Sequence, residues 1–106
     1  DDFGKLLENL VFLELRRRNE QIYYFRKNYE CDFLIVRKNK VYLAIQVTKK
    51  LNDDNEKREI NGLLEVIKEH KLEEGIILTE EQEEERIIKG KKIKIIPIWK
   101  WLLEEK

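Results

Sequence analysis

Apolar positions along this chain change period several times, and each change marks an element. Phe3, Leu6, Leu7, Leu10 and Val11 recur at helical spacing, predicting a helix over residues 3–18 with Asp1 or Asp2 as its cap. Residues 21–25 then read as a short aromatic strand. Residues 31–36 and 41–47 read as two β-branched strands around a turn at Lys38-Asn39-Lys40. The helical period returns with Ile60, Leu63, Leu64 and Ile67, preceded by cap candidates between Asn52 and Asn55. Residues 75–79 and 92–97 form two more short apolar runs. The acidic run Glu80 to Glu85 between them reads as a solvated loop or helix start, and residues 99–103 as a closing helical turn whose Trp99 and Leu102 or Leu103 plug the edge of the core. The order is αβββαββα. A hairpin followed by a helical crossover makes a mixed sheet flanked by helices, and without linker or repeat residues 1–106 read as one α/β unit.

Composition narrows the chemistry. Lys+Arg and Asp+Glu both number 22, so a generally cationic nucleic-acid or membrane coat is excluded and only local patches remain. No apolar run reaches membrane-spanning length, so no membrane partner is expected. The chain contains no serine, which removes a serine nucleophile, and Cys31 and His70 are each alone, so a closed Cys/His zinc site cannot be built. A single cysteine suits a reducing cytoplasm. The abundance of Lys and Glu leans towards a heat-adapted source. The absence of an initiating methionine suggests a processed start or a piece of a longer protein. With no Gly-rich phosphate loop, the chain by itself is not an ATPase. Catalysis would have to use carboxylates, amides and lysines, with or without a metal.

Four polar residues stand where apolar ones are expected. Glu8 falls within the arc of Val11, Phe12 and Leu15, and Glu14 inside the wide arc beside Phe3, Leu7 and Leu10, unless either sits at the arc's edge and reaches water or an arginine. Asp32 opens the second strand ahead of Phe33-Leu34-Ile35-Val36, and Gln46 sits inside Tyr42-Leu43-Ala44-Ile45-Gln46-Val47-Thr48. A buried amide needs partners and a buried carboxylate costs several kcal/mol unless paired, on the order of what one core side chain contributes. Alternation puts Tyr42, Ala44, Gln46 and Thr48 on one strand face. A two-residue turn at Lys38-Asn39 sets Asp32 opposite Ile45. A three-residue turn, or a bulge with the same effect, sets it opposite Gln46 and gathers Asp32, Gln46 and Thr48 on one face.

A helix with an embedded Glu, a strand Asp and a Gln on the next strand resembles the PD-(D/E)xK nuclease superfamily, whose core is αβββαβ and whose motif is Asp, a short gap, then Glu or Gln, any residue, and Lys. More closely, Gly4-Lys5-Leu6-Leu7-Glu8-Asn9, Glu30-Cys31-Asp32-Phe33, Ile45-Gln46-Val47-Thr48, Arg58-Glu59-Ile60-Asn61-Gly62-Leu63-Leu64 and Ile95-Ile96-Pro97-Ile98-Trp99 are similar to the domain of unknown function appended to the C-terminus of archaeal-type AAA ATPases. The resemblance implies a restriction-endonuclease-like fold. It also implies Asp32 and Gln46 as ligands of Mg²⁺ or Mn²⁺, with Glu8 as a further ligand or as a carboxylate that supports the ligands from behind. The N-terminal AAA ATPase module of the same longer chain would be a partner.

Thr48 stands where the superfamily has its lysine, and Lys50, Lys57 or Arg58 could replace that cation. Arg16, Arg17 and Arg18, Lys38 and Lys40, and Lys91 and Lys92 are the basic clusters that could meet DNA phosphates. The missing lysine favours a degenerate nuclease-like domain that binds DNA or a partner over an active metal-dependent endonuclease. An oligomerisation domain is a third reading.

Overall fold

A computed structural model describes residues 2–104. Helix α1 (Asp2–Arg17) leads into an antiparallel meander of β1 (Gln21–Arg26), β2 (Glu30–Arg37) and β3 (Lys40–Val47). Helix α2 (Glu56–His70) crosses over to β4 (Glu74–Thr79), which pairs parallel to β3. Then come β5 (Glu84–Ile88), β6 (Lys91–Pro97) and α3 (Ile98–Leu103). The six strands lie in the order β1-β2-β3-β4-β6-β5, with β6 parallel to β4 and β5 antiparallel at the edge. This mixed sheet flanked by helices is the expected α/β class, and no helix among the described residues is long and apolar enough to cross a membrane.

The two faces of the sheet bury separate cores. On one, Leu7, Val11 and Leu15 of α1 and Trp101 of α3 pack on Phe33, Ile35, Ile45, Val47, Ile76 and Leu78. On the other, Ile60, Leu63, Val66 and Ile67 of α2 cover Leu34, Ala44, Ile77, Ile93 and Ile95. Alternation along the strands sorts the side chains between them: Ile45 and Val47 face α1, Ala44 and Gln46 face α2.

Three expectations are corrected. The observed order is αβββαβββα, because Glu84 to Ile88 is a strand rather than the continuation of a loop. It carries too few apolar residues to announce itself, since an edge strand pairs on one side only, and its hairpin to β6 turns on Lys89 and Gly90, both at positive φ. Leu6 and Leu10 do not join the buried stripe of α1 but face outward. In α3 the core is filled by Trp101 and Leu102, while Trp99 and Leu103 stay exposed. The predicted cap Asp1 lies outside the described residues, and Asp2 already belongs to the first helical turn.

The β2–β3 hairpin combines both sequence registers. Lys38 and Asn39, with φ of 53° and 64°, make a two-residue turn that pairs Val36 with Val41. A bulge between Ile35 and Val36 then shifts the register, so that Ile35 meets Leu43 and Phe33 meets Ile45. Beyond Phe33 the shifted register brings Asp32 opposite Gln46.

Candidate functional site

At that point the backbone ladder between β2 and β3 stops and side chains take over. The Asp32 N–H donates to Gln46 Oε1 at 2.9 Å, and the Val47 N–H donates to Asp32 Oδ2 at 2.8 Å. Gln46 Nε2 donates to the carbonyl of Glu30 at 2.8 Å and to that of Glu59 at 3.0 Å. One buried amide therefore ties together the start of β2, the end of β3 and the first turns of α2. Two carbonyl acceptors on one side and an N–H on the other fix which end of the amide is nitrogen. Gly62 makes room for this: a Cβ there would stand 2.1 Å from the Glu30 carbonyl oxygen and 2.4 Å from Gln46 Nε2.

Asp32 lies in the wall of two adjoining cavities. One, of about 410 Å³, is lined by Lys5, Glu8, Thr48, Lys49, Lys50, Asn55, Arg58 and Glu59, among others. The other, of about 240 Å³, is reached past Asn28, Tyr29 and Gln46 and shares Asp32, Arg58 and Glu59 with the first. A larger concavity of about 630 Å³ opens elsewhere, between the C-terminal half of α2 and the β5–β6 turn, and contains none of these carboxylates. The Asp32 cleft sits where the parallel strands β3 and β4 end, the usual position for a ligand site in an open α/β sheet.

The floor is acidic. Burial, together with Glu8, Glu59 and Glu30, pushes the Asp32 carboxyl up to about 7, although the Val47 N–H works against this. Burial also raises Glu8 and Glu59, with Arg58 opposing the rise at Glu59. Glu59 Oε2 pairs with Arg58 at 3.3 Å, while its Oε1 is buried with no hydrogen-bond partner. Glu59 is the site residue that sequence reasoning passed over. Within a helix, Arg58-Glu59 reads as ordinary surface charge; the signal that could have found it is Gly62, an isolated glycine in a helical pattern, which here admits the close approach of β2. Burial pushes the nearby Cys31 thiol up to about 12, so it is an inert packing group.

The cleft gathers Glu8, Asp32 and Lys50, with Thr48 at the motif-lysine position. Gln46 turns its amide into the β2–α2 contact. Lys50 reaches the cavity from the loop beyond β3, which ends at Val47. That loop is held by Asn55, which donates to Thr48 Oγ1 and to the Lys50 carbonyl, and by Gln82, whose amide pairs with both the N–H and the carbonyl of Leu51. The basic clusters lie elsewhere. Lys38, Lys40, Lys91 and Lys92 stand where β3 and β6 begin, at the opposite end of the sheet. Arg16 and Arg17 end, and Arg18 directly follows, a 16-residue α1 whose first turns touch the cleft, roughly 20 Å away along the helix. Arg17 and Arg18 both bind Glu14, holding its carboxyl down at about 2, and Arg18 stacks on Trp101 and donates to its carbonyl. The cations that do line the cleft are Lys5, Lys49, Lys50 and Arg58.

Of the motif ligand set, Asp32 and Glu8 line the larger of the two cavities, while the amide of Gln46 is engaged by three backbone groups. Turning Gln46 towards the cleft would leave two carbonyls and the Asp32 N–H without partners. Among the described residues no three His, Cys, Asp or Glu side chains converge as a metal site requires. Gln46→Leu is expected to lower stability by about 2 kcal/mol through those orphaned groups; urea denaturation measures it, and an unchanged midpoint would mean that the amide carries no structural role.

Residues 3–101 match the family described as a domain of unknown function, DUF4143. The chain is 47% identical over 111 aligned positions to an uncharacterized protein, MJ1544, of Methanocaldococcus jannaschii, an alignment covering 94% of this chain and 25% of that relative. The chain thus spans about a quarter of the length of the curated relative it matches.

Proposed function

The chain belongs to the DUF4143 family of domains of unknown function, and we propose that it is a degenerate PD-(D/E)xK nuclease-like module that binds DNA without cutting it. The observation that carries this reading is the commitment of Gln46. The residue that would complete the metal cage instead holds three backbone groups, and Thr48 offers a hydroxyl where the motif needs a cation. What remains is a cleft with Lys5, Lys49, Lys50 and Arg58 around an acidic floor. That rim gives a passing phosphate backbone local positive charge on a chain of zero net charge. The module would serve a longer chain, for which we propose an N-terminal AAA ATPase part.

The second reading is an active Mg²⁺- or Mn²⁺-dependent endonuclease. It is favoured by the gathering of Glu8, Glu30 and Glu59 around Asp32 and by the unpartnered Oε1 of Glu59. Lys50 or Arg58 would then stand in for the motif lysine.

The two separate in one experiment with labelled single-stranded, duplex and branched DNA. We expect no cleavage with Mg²⁺ or Mn²⁺ and a salt-dependent affinity indifferent to chelator. The double change Lys50→Ala, Arg58→Ala should weaken binding by about tenfold and flatten the salt dependence by about two phosphates. Metal-dependent cuts that vanish in Asp32→Ala would establish the endonuclease instead. Absence of any DNA affinity would overturn both.

A further inference from the structure

Helix α1 carries two apolar stripes. Leu7, Val11 and Leu15 enter the core, while Leu6, Leu10 and Leu13 point outward, 61%, 42% and 54% exposed. Their spacing of four and then three residues is that of a seam between two packed helices. A solvent-facing helix gains nothing from three leucines in line, so the stripe calls for a cover.

Its ends indicate which. Asp2 stands at the N-terminal end of the same outward face and Arg17 at the C-terminal end. Both are exposed, and Arg17 bonds Glu14 through Nε and Nη2 only. When a second α1 is laid antiparallel about a two-fold axis beside Leu10, Leu6 of each copy meets Leu13 of the other, the two Leu10 side chains flank the axis, and Asp2 of each copy meets Arg17 of the other. Every contact then occurs twice, as an isologous interface requires, and the helix dipoles oppose.

We propose that the outward face of α1 is a homodimer interface in which a second copy of this chain pairs antiparallel through Leu6, Leu10 and Leu13. One helix pair buries less than the roughly 1,600 Å² of a standard interface, so the dimer is a weak one that forms with rising concentration. This surface is separate from the Asp32 cleft, and its test does not depend on the DNA-binding reading.

Sedimentation equilibrium over a range of protein concentrations should show a reversible monomer–dimer equilibrium. Leu10→Glu should weaken it by about tenfold or more while leaving thermal stability unchanged, because position 10 lies outside the core. Asp2→Arg and Arg17→Asp should each weaken it, and the two together should restore it. Under mild oxidation Leu10→Cys should cross-link to itself, and a mixture of the Leu6→Cys and Leu13→Cys proteins should cross-link as a heterodimer. The buried native Cys31 will not compete. A monomer at every concentration, a dimer indifferent to Leu10→Glu, or Leu6→Cys linking to itself as fast as Leu10→Cys would each overturn the proposal. A monomer would mean that another partner covers the leucines.

Discussion

Asp32→Asn is expected to raise the melting temperature substantially near pH 8, with chelator present, and to leave it almost unchanged near pH 4. The Asp32 carboxyl titrates at about 7 in the folded chain against an ordinary 3.8, so folding favours its protonated form. The stability associated with that preference is fully present below about pH 4 and is lost as pH rises through about 7. A shift of about three pH units corresponds to about 4 kcal/mol, enough to move the midpoint of so small a fold by on the order of 10 °C or more. Glu8 and Glu59 are raised as well and add to the loss in the same direction. Asparagine keeps an oxygen to accept the Val47 N–H and removes the charge. The variant should therefore lose the steepest part of the pH dependence. Parallel pH profiles for the two proteins would show that Asp32 carries no buried charge. A carboxylate buried at such a cost supports the binding role proposed for the cleft, with stability given up in exchange for binding.

The second large effect is Gly62→Ala. On an exposed helix this change would stabilise by about 1 kcal/mol. Here the new methyl would enter a space bounded by the Glu30 carbonyl at 2.1 Å and Gln46 Nε2 at 2.4 Å. Neither neighbour can retreat: one is strand backbone, and the other is held by three hydrogen bonds. Helix α2 must lift from the sheet, and we expect a net loss of about 3 kcal/mol in urea denaturation. A variant as stable as the parent would mean that α2 does not press on β2 as described.

How much of this was written in the sequence depends on the range of the interaction. The helices and the inner strands follow from local periodicity, because each has one side chain per step committed to a core. Strand β5 escaped because it is stabilised almost wholly by pairing with β6 and brings only Ile87 and Ile88 of its own. Asp32, Glu8 and Gln46 stood out as polar residues among apolar ones, and their meeting turned on a register that the turn residues left undecided; a bulge at the third strand settled it. The direction in which Gln46 points was illegible, since it is set by two carbonyls distant in sequence and by an absent Cβ on α2. Glu59 was illegible for the same reason. The apolar positions of α1 were visible as one arc, and only the packed sheet divides them into an inner and an outer stripe.

The clamp around Gln46 also governs which sequences lie within reach of this one. A glutamate at position 46 would set an anionic oxygen against the Glu30 and Glu59 carbonyls, and an aliphatic residue would strand them. Accommodating either would require α2 to move away, and the room that glycine makes at position 62 matters only while α2 stays close. Positions 46 and 62 are therefore coupled in one direction: the Gln46 clamp is acceptable only with glycine at 62. Any drift towards an acidic ligand at 46 must first cross a less stable protein. The amide works as a ratchet: once α2 has closed on it, single substitutions lead away from the fold sooner than they lead to a differently built cleft.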